Sequence, residues 1–180
     1  MSKVEYIYCI TKYNSLYRNV GGGYERDEWI GVGDIGKKFR GKEFTQNEYL
    51  KVEMNYLKAV ELIAKNEEFF TITKLEKHSN VIFHKKLPFS ENEIDFFNNL
   101  YNRKRLNLKE TVILSKLILR NELWAILKSK NVKIEFGYDY YMYFIVKKIL
   151  TEEIIRKIES LNLFVEKVAP SREGNEKDIG

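Results

Sequence analysis

The chain is 180 residues long, 44% hydrophobic and 14% aromatic, with 31 basic against 26 acidic side chains for a net charge of +5. That length suits one domain with enough core to fold unaided, and the single cysteine, Cys9, excludes an intramolecular disulfide framework. No apolar run approaches the ~20 residues of a membrane-spanning helix, and Glu5, Asn14 and Arg18 interrupt the region where a secretory leader would be continuously apolar, so a cytoplasmic location is expected.

Val4 to Ile10 mixes aliphatic and aromatic residues and predicts a first strand, with Cys9 as a buried structural thiol. An irregular stretch follows over 13–43, rich in glycine yet carrying Tyr13, Tyr17, Tyr24, Trp29, Ile30, Ile35 and Phe39. That apolar content predicts a loop ordered against the domain, and loops of this length are commonly functional. Thr45-Gln-Asn-Glu48 is a capping box flanked by the staple pair Phe44 and Tyr49, which predicts a helix from Thr45 to about Asn66. Phe69 to Leu75 reads as a strand, with a second at 80–83. The same start signal recurs at Ser90-Glu-Asn-Glu93 and predicts a helix to about Asn102; Asn107-Leu-Lys-Glu110 opens a third. The third helix is apolar at 112, 113 and 117, breaks at 120, and resumes at 123, 124 and 127, which makes it the expected central helix. Val132 to Phe136 and Tyr140 to Val146 predict strands about a bend at Gly137-Tyr-Asp139, the second apolar on both faces and hence central. Thr151 caps a last helix to about Leu161, Leu163 to Val168 closes the fold as a strand, and 171–180 is a polar, frayed tail. The expected class is α+β: one domain over residues 1–170, a mainly antiparallel sheet of about five to six strands and about four helices.

Residues 31–36, GVGDIG, match the G-x-G-x-x-G spacing of a dinucleotide-binding turn. That motif works only between a strand and a helix N-terminus; here the next helix start is at Thr45, and Asp34 would set a carboxylate against a phosphate, so no nucleotide is expected. His78 and His84 have no cysteine or further histidine near them, and one cysteine cannot complete a closed zinc site. No P-loop, zinc-protease or hydrolase-elbow pattern occurs, and no cofactor is expected. The basic pairs Lys37-Lys38 and Lys85-Lys86 and the run Arg103-Lys-Arg105 are short and diluted by acids; lysine outnumbers arginine 23 to 8, against the preference of nucleic-acid surfaces. Glu53 falls within the apolar stripe of the first helix, where a carboxylate needs a partner: either a structural ion pair or tyrosine hydroxyl, or a charge held for a binding partner. Asp34 and Asp139, in aromatic-rich bends, pose the same alternative.

The run Glu28-Trp29, Asp34-Ile-Gly36, Phe39, Gly41, Phe44 to Glu53 and Tyr56, together with Phe136-Gly-Tyr-Asp-Tyr-Tyr-Met-Tyr143, resembles a group of bacterial immunity proteins. These accompany toxins of contact-dependent growth inhibition and related polymorphic toxin systems. The resemblance implies a cytosolic, non-catalytic inhibitor that binds a cognate toxin domain and occludes its active site. The expected contact surface is the aromatic loop with the 138–143 tyrosines, with Asp27, Glu28, Trp29, Asp34, Glu53, Tyr138, Asp139 and Tyr141 as partner-binding candidates and Glu25 adding to a local acidic patch. Trp29→Ala or Asp34→Ala is then expected to weaken binding while the fold survives. Two alternatives stay open from the residues: a nucleic-acid binder using the basic clusters and aromatics, and a small enzyme without a recognisable motif.

Overall fold

The computed structural model describes residues 5–21, 23–77 and 87–168. The expected strand at 80–83, both histidines, Lys85-Lys86 and the 171–180 tail lie outside the described residues. Seven strands form one antiparallel sheet in the order β5-β4-β6-β7-β8-β1-β9: β1 (Tyr6–Thr11), β4 (Phe70–Lys77), β5 (Arg105–Leu106), β6 (Leu123–Lys128), β7 (Val132–Phe136), β8 (Met142–Val146) and β9 (Phe164–Val168). A separate hairpin, β2 (Lys38–Phe39) with β3 (Lys42–Glu43), stands within the long loop. Among the described residues four α-helices complete the α+β domain: α1 (Gln46–Ala64), α2 (Glu91–Asn98), α3 (Leu108–Leu119) and α4 (Glu152–Glu159).

Each helix begins where its cap dictates. Thr45, Ser90 and Asn107 accept from the N3 amide while Glu48, Glu93 and Glu110 reach back to the cap amide, and Thr151 caps α4. The core lies between the helices and one face of the sheet, into which alternate strand residues point: Ile10, Ile72, Leu127, Ile134 and Phe144 are all fully buried. The staple residue Phe44, just before the α1 cap, is buried together with Tyr49, Tyr56, Val60 and Ile63 of the helix.

Two expectations are corrected. The third helix does not continue through 127: α3 stops at Leu119, Asn121 turns through a left-handed φ of +60°, and Leu123–Lys128 is a strand near the middle of the sheet. Leu123, Ala125 and Leu127 point into the core while Trp124 and Ile126 lie half-buried on the opposite face, a two-residue period that a helix could not sustain. Tyr140 is likewise not in the strand; β8 starts at Met142, because Asp139 and Tyr140 both adopt left-handed φ (+56° and +65°). The GVGDIG stretch forms a single 3₁₀ turn (Val32–Asp34) leading into the β2–β3 hairpin, not a strand-to-helix turn. Gly36 at φ +90° is where that stretch needs a glycine.

Candidate functional site

The aromatic excess has a location. Lys12 follows β1, and its backbone N–H donates to the Tyr56 hydroxyl on α1 at 2.6 Å; that hydroxyl donates in turn to the Tyr140 carbonyl at 2.6 Å. The Tyr140 hydroxyl donates to that of Tyr49 at 2.6 Å, and Tyr49 donates to the Leu119 carbonyl at 3.3 Å. Three tyrosines thereby tie α1 to the end of β1, the end of α3 and the β7–β8 connection, each hydroxyl finding the partner that burial demands. Trp29 completes the cluster, stacked on Phe44 with centroids 4.4 Å apart and edge-on to Tyr140 at 5.3 Å. Tyr141 stacks on Tyr13 at 5.5 Å. Loop 24–44 and the 137–141 bend, about a hundred residues apart in sequence, therefore share one face of the molecule.

Two clefts open on this face. The larger, of about 770 Å³, lies between the 30–34 turn, the end of α3, the start of β6 and the 137–141 bend; Asp34, Tyr138, Asp139 and Tyr141 line it. The smaller, of about 580 Å³, lies between the loop, the β2–β3 hairpin and α1; Asp27, Glu28 and Trp29 line it. Seven of the eight sequence-predicted residues thus border two adjoining clefts. Ile30 is 51% and Tyr138 93% exposed beside the first.

The eighth residue, Glu53, belongs elsewhere and is a correction: it is 4% exposed, and both of its oxygens accept from Arg120 at 2.7 Å. Arg120 also donates to the Leu87 carbonyl at 3.1 Å, so the structural ion pair, not a charge held for a partner, accounts for the carboxylate in the α1 stripe. Asp34 serves both its loop and the cleft. It accepts from the Ile30 amide at 2.8 Å and from Lys37 at 2.7 Å; burial opposes its ionisation, but these partners hold the carboxyl below the usual range. Removing it loosens the 30–37 turn, so Asp34→Ala would disturb the loop as well as any contact. Glu28 is likewise engaged, by Tyr24 at 3.0 Å, Arg40 at 3.1 Å and Lys12 at 3.4 Å. Asp27 and Asp139 are exposed and form no ion pair among the described residues.

Lys12 escaped the sequence reading. Its amine sits 4.0 Å from the Tyr13 ring centre and 4.2 Å from that of Trp29, with Glu28 beside it, and burial pushes its pKa down to about 8 against the pull of Glu28. Apart from the adjacent Tyr13, nothing local in the sequence marks it, since Glu28 and Trp29 come from the loop sixteen and seventeen positions away. Cys9 is 4% exposed and its thiol is pushed up to about 11 by burial, the setting of an inert structural cysteine. Among the described residues no group of three or more His, Cys, Asp or Glu is placed to hold a metal ion, and no helix is long and apolar enough to cross a membrane. No protein-family model, curated protein or solved structure matches the chain.

Proposed function

We propose that this chain is an immunity-type inhibitor that docks a cognate toxin domain on the face formed by loop 24–44 and the 137–141 bend. The observation that carries the reading is the convergence of those two distant segments, the same ones that carry the family resemblance, into a surface of exposed Ile30 and Tyr138 flanked by Asp27 and Asp139. An aromatic anchor with an aliphatic neighbour and a charged rim is the composition of a protein-binding hot spot. The buried tyrosine network behind the face fixes its backbone, which lowers the ordering penalty of association. Although the chain is +5 overall, the exposed carboxylates here are free to steer a basic partner locally.

The experiment is growth rescue. A toxin domain encoded beside this chain in its source genome is expressed in a heterologous bacterium, alone and together with the chain. Restored growth, and a stoichiometric complex that survives about 500 mM salt, are the expected results; Tyr138→Ala, at an exposed position, should weaken the complex by roughly tenfold or more without changing thermal stability. Absence of rescue, with nucleic acid recovered from cells at about 50 mM salt and lost at about 500 mM, would replace this reading with the basic-cluster one.

A further inference from the structure

The larger cleft has a lining that narrows what the face can receive. Its charged side chains are three carboxylates, Asp34, Glu76 and Asp139, against one amine, Lys74. Lys37 answers Asp34 at 2.7 Å and Lys74 answers Glu76 at 3.4 Å, while Asp139 makes no ion pair or hydrogen bond among the described residues. Lys12, behind the loop, pairs with Glu28 and lies over the two rings, and its charge acts on Asp34 and Asp139 at longer range without bonding to either. The walls add aromatic surface: Trp124, held by its indole N–H on the Phe136 carbonyl at 2.9 Å, already carries the Lys74 amine 4.9 Å from its ring centre, and Tyr138 stands open. In a chain of net charge +5, this is an acidic, ring-lined recess.

We infer that the cleft receives an arginine side chain presented by the docked protein. A guanidinium is planar and weakly hydrated, so it can lie on an aromatic face while its fork meets a carboxylate; a lysine ammonium loses more hydration for the same contacts. The protein already uses this combination internally, with Lys12 set between Tyr13 and Trp29 beside Glu28, and Arg120 4.7 Å from the Phe89 ring centre beside Glu53. Asp139 is pre-set for the task. It and Tyr140 are held in successive left-handed conformations that few non-glycine residues adopt, and the Tyr56 and Tyr49 hydroxyls fix Tyr140. A cleft of about 770 Å³ also leaves room for the backbone that carries the arginine. The carrier's identity as a protein rests on the docking reading above; the chemistry of the recess does not.

The test is a proton–nitrogen NMR titration of the full chain with N-acetyl-L-argininamide, and with the citrulline and lysine analogues as controls. The arginine probe should shift the Trp124 indole and the 138–141 amides with a dissociation constant in roughly the millimolar range; the lysine analogue should bind about threefold or more weakly, and the uncharged citrulline analogue should leave these resonances in place. Asp139→Asn, an exposed substitution, should weaken the arginine probe by about threefold or more with the spectrum otherwise native. No shift, equal shifts from citrulline, or shifts spread over other surfaces would overturn the inference. Shifts at the cleft without any protein partner ever rescuing growth would sustain the arginine recess and remove only the docking reading. A captured partner indifferent to Asp139→Asn would do the reverse.

Discussion

The Glu53–Arg120 pair makes a demanding prediction because both members are nearly sealed from solvent, with side chains 5% and 4% exposed. Two parallel bonds of 2.7 Å join α1 to the end of α3, and the third arginine bond reaches Leu87. Replacing Arg120 with methionine leaves a buried carboxylate without its countercharge and the Leu87 carbonyl without its donor. The expected loss is about 3–5 kcal/mol. For a domain of this size each kcal/mol moves the midpoint by roughly 2–4 °C, so Tm should fall by roughly 6–20 °C. Glu53→Leu should cost a similar amount by stranding the guanidinium. The double variant Glu53→Leu/Arg120→Met removes both charges from the core and should recover most of the loss, giving a coupling on the order of 3 kcal/mol. Urea denaturation of the four proteins closes the cycle. Additive losses, or a single-variant loss below about 1 kcal/mol, would show that the pair is solvated and that the packing of α1 on α3 does not depend on it.

Other consequences concern the face itself. Tyr56→Phe should cost about 1–3 kcal/mol, because its hydroxyl bridges the Lys12 amide and the Tyr140 carbonyl, whereas Tyr49→Phe should cost less, since Tyr140 can donate directly to the Leu119 carbonyl at 3.0 Å; the reverse order in denaturant melts would refute the network as described. Lys12 is depressed from 10.5 to about 8, so between those values the unfolded chain holds the proton that the folded chain has released, and this group's contribution to stability rises with pH through that window. Measured as the difference between wild type and Lys12→Met, that gain should appear between pH 8 and 10.5; a flat difference would place the amine in water. Cys9 should resist an aromatic disulfide reagent in the folded state at pH 8 and react fully once denatured; rapid native labelling would contradict its burial.

What the sequence made legible was local. Four helix starts were readable because a cap is a contract between residues three apart, and Thr45, Ser90, Asn107 and Thr151 all honour it. The start of β6 was hidden because Arg120-Asn-Glu122 contains neither glycine nor proline, and the apolar stripe of α3 runs on in phase to Leu123, Trp124 and Leu127. Only Asn121, a residue that tolerates the left-handed region, hinted at the break. Seven of the eight candidate site residues fell on the clefts because aromatic and acidic residues in long bends are visible as such; the bringing together of the two bends was a tertiary event, carried by the Trp29–Tyr140 ring contact and by tyrosine hydroxyls that tie α1 to the second bend and to Lys12, with partners 44 to 91 positions away. Lys12 was invisible for the same reason.

Glu53 and Arg120 show how far a single chain can still be read. Each is a misfit in an otherwise apolar stripe, one acidic on α1 and one basic at the end of α3, and α1 packs directly on α3. Two isolated charges of opposite sign on faces that must both be buried have one economical arrangement, which is against each other, since either alone would leave an ion in the core. The same reasoning separates structural from available charge across the docking face. Glu28 and Asp34 have bonded internal partners and shape the loop, while Asp27 and Asp139 make no hydrogen bond or ion pair among the described residues. If partner recognition is electrostatic, neutralising Asp27 or Asp139 should slow association and flatten its salt dependence with the melting temperature unchanged, whereas neutralising Asp34 should lower the melting temperature first. Equal effects on binding from all three at constant stability would mean that the loop's internal bonds contribute nothing to its shape.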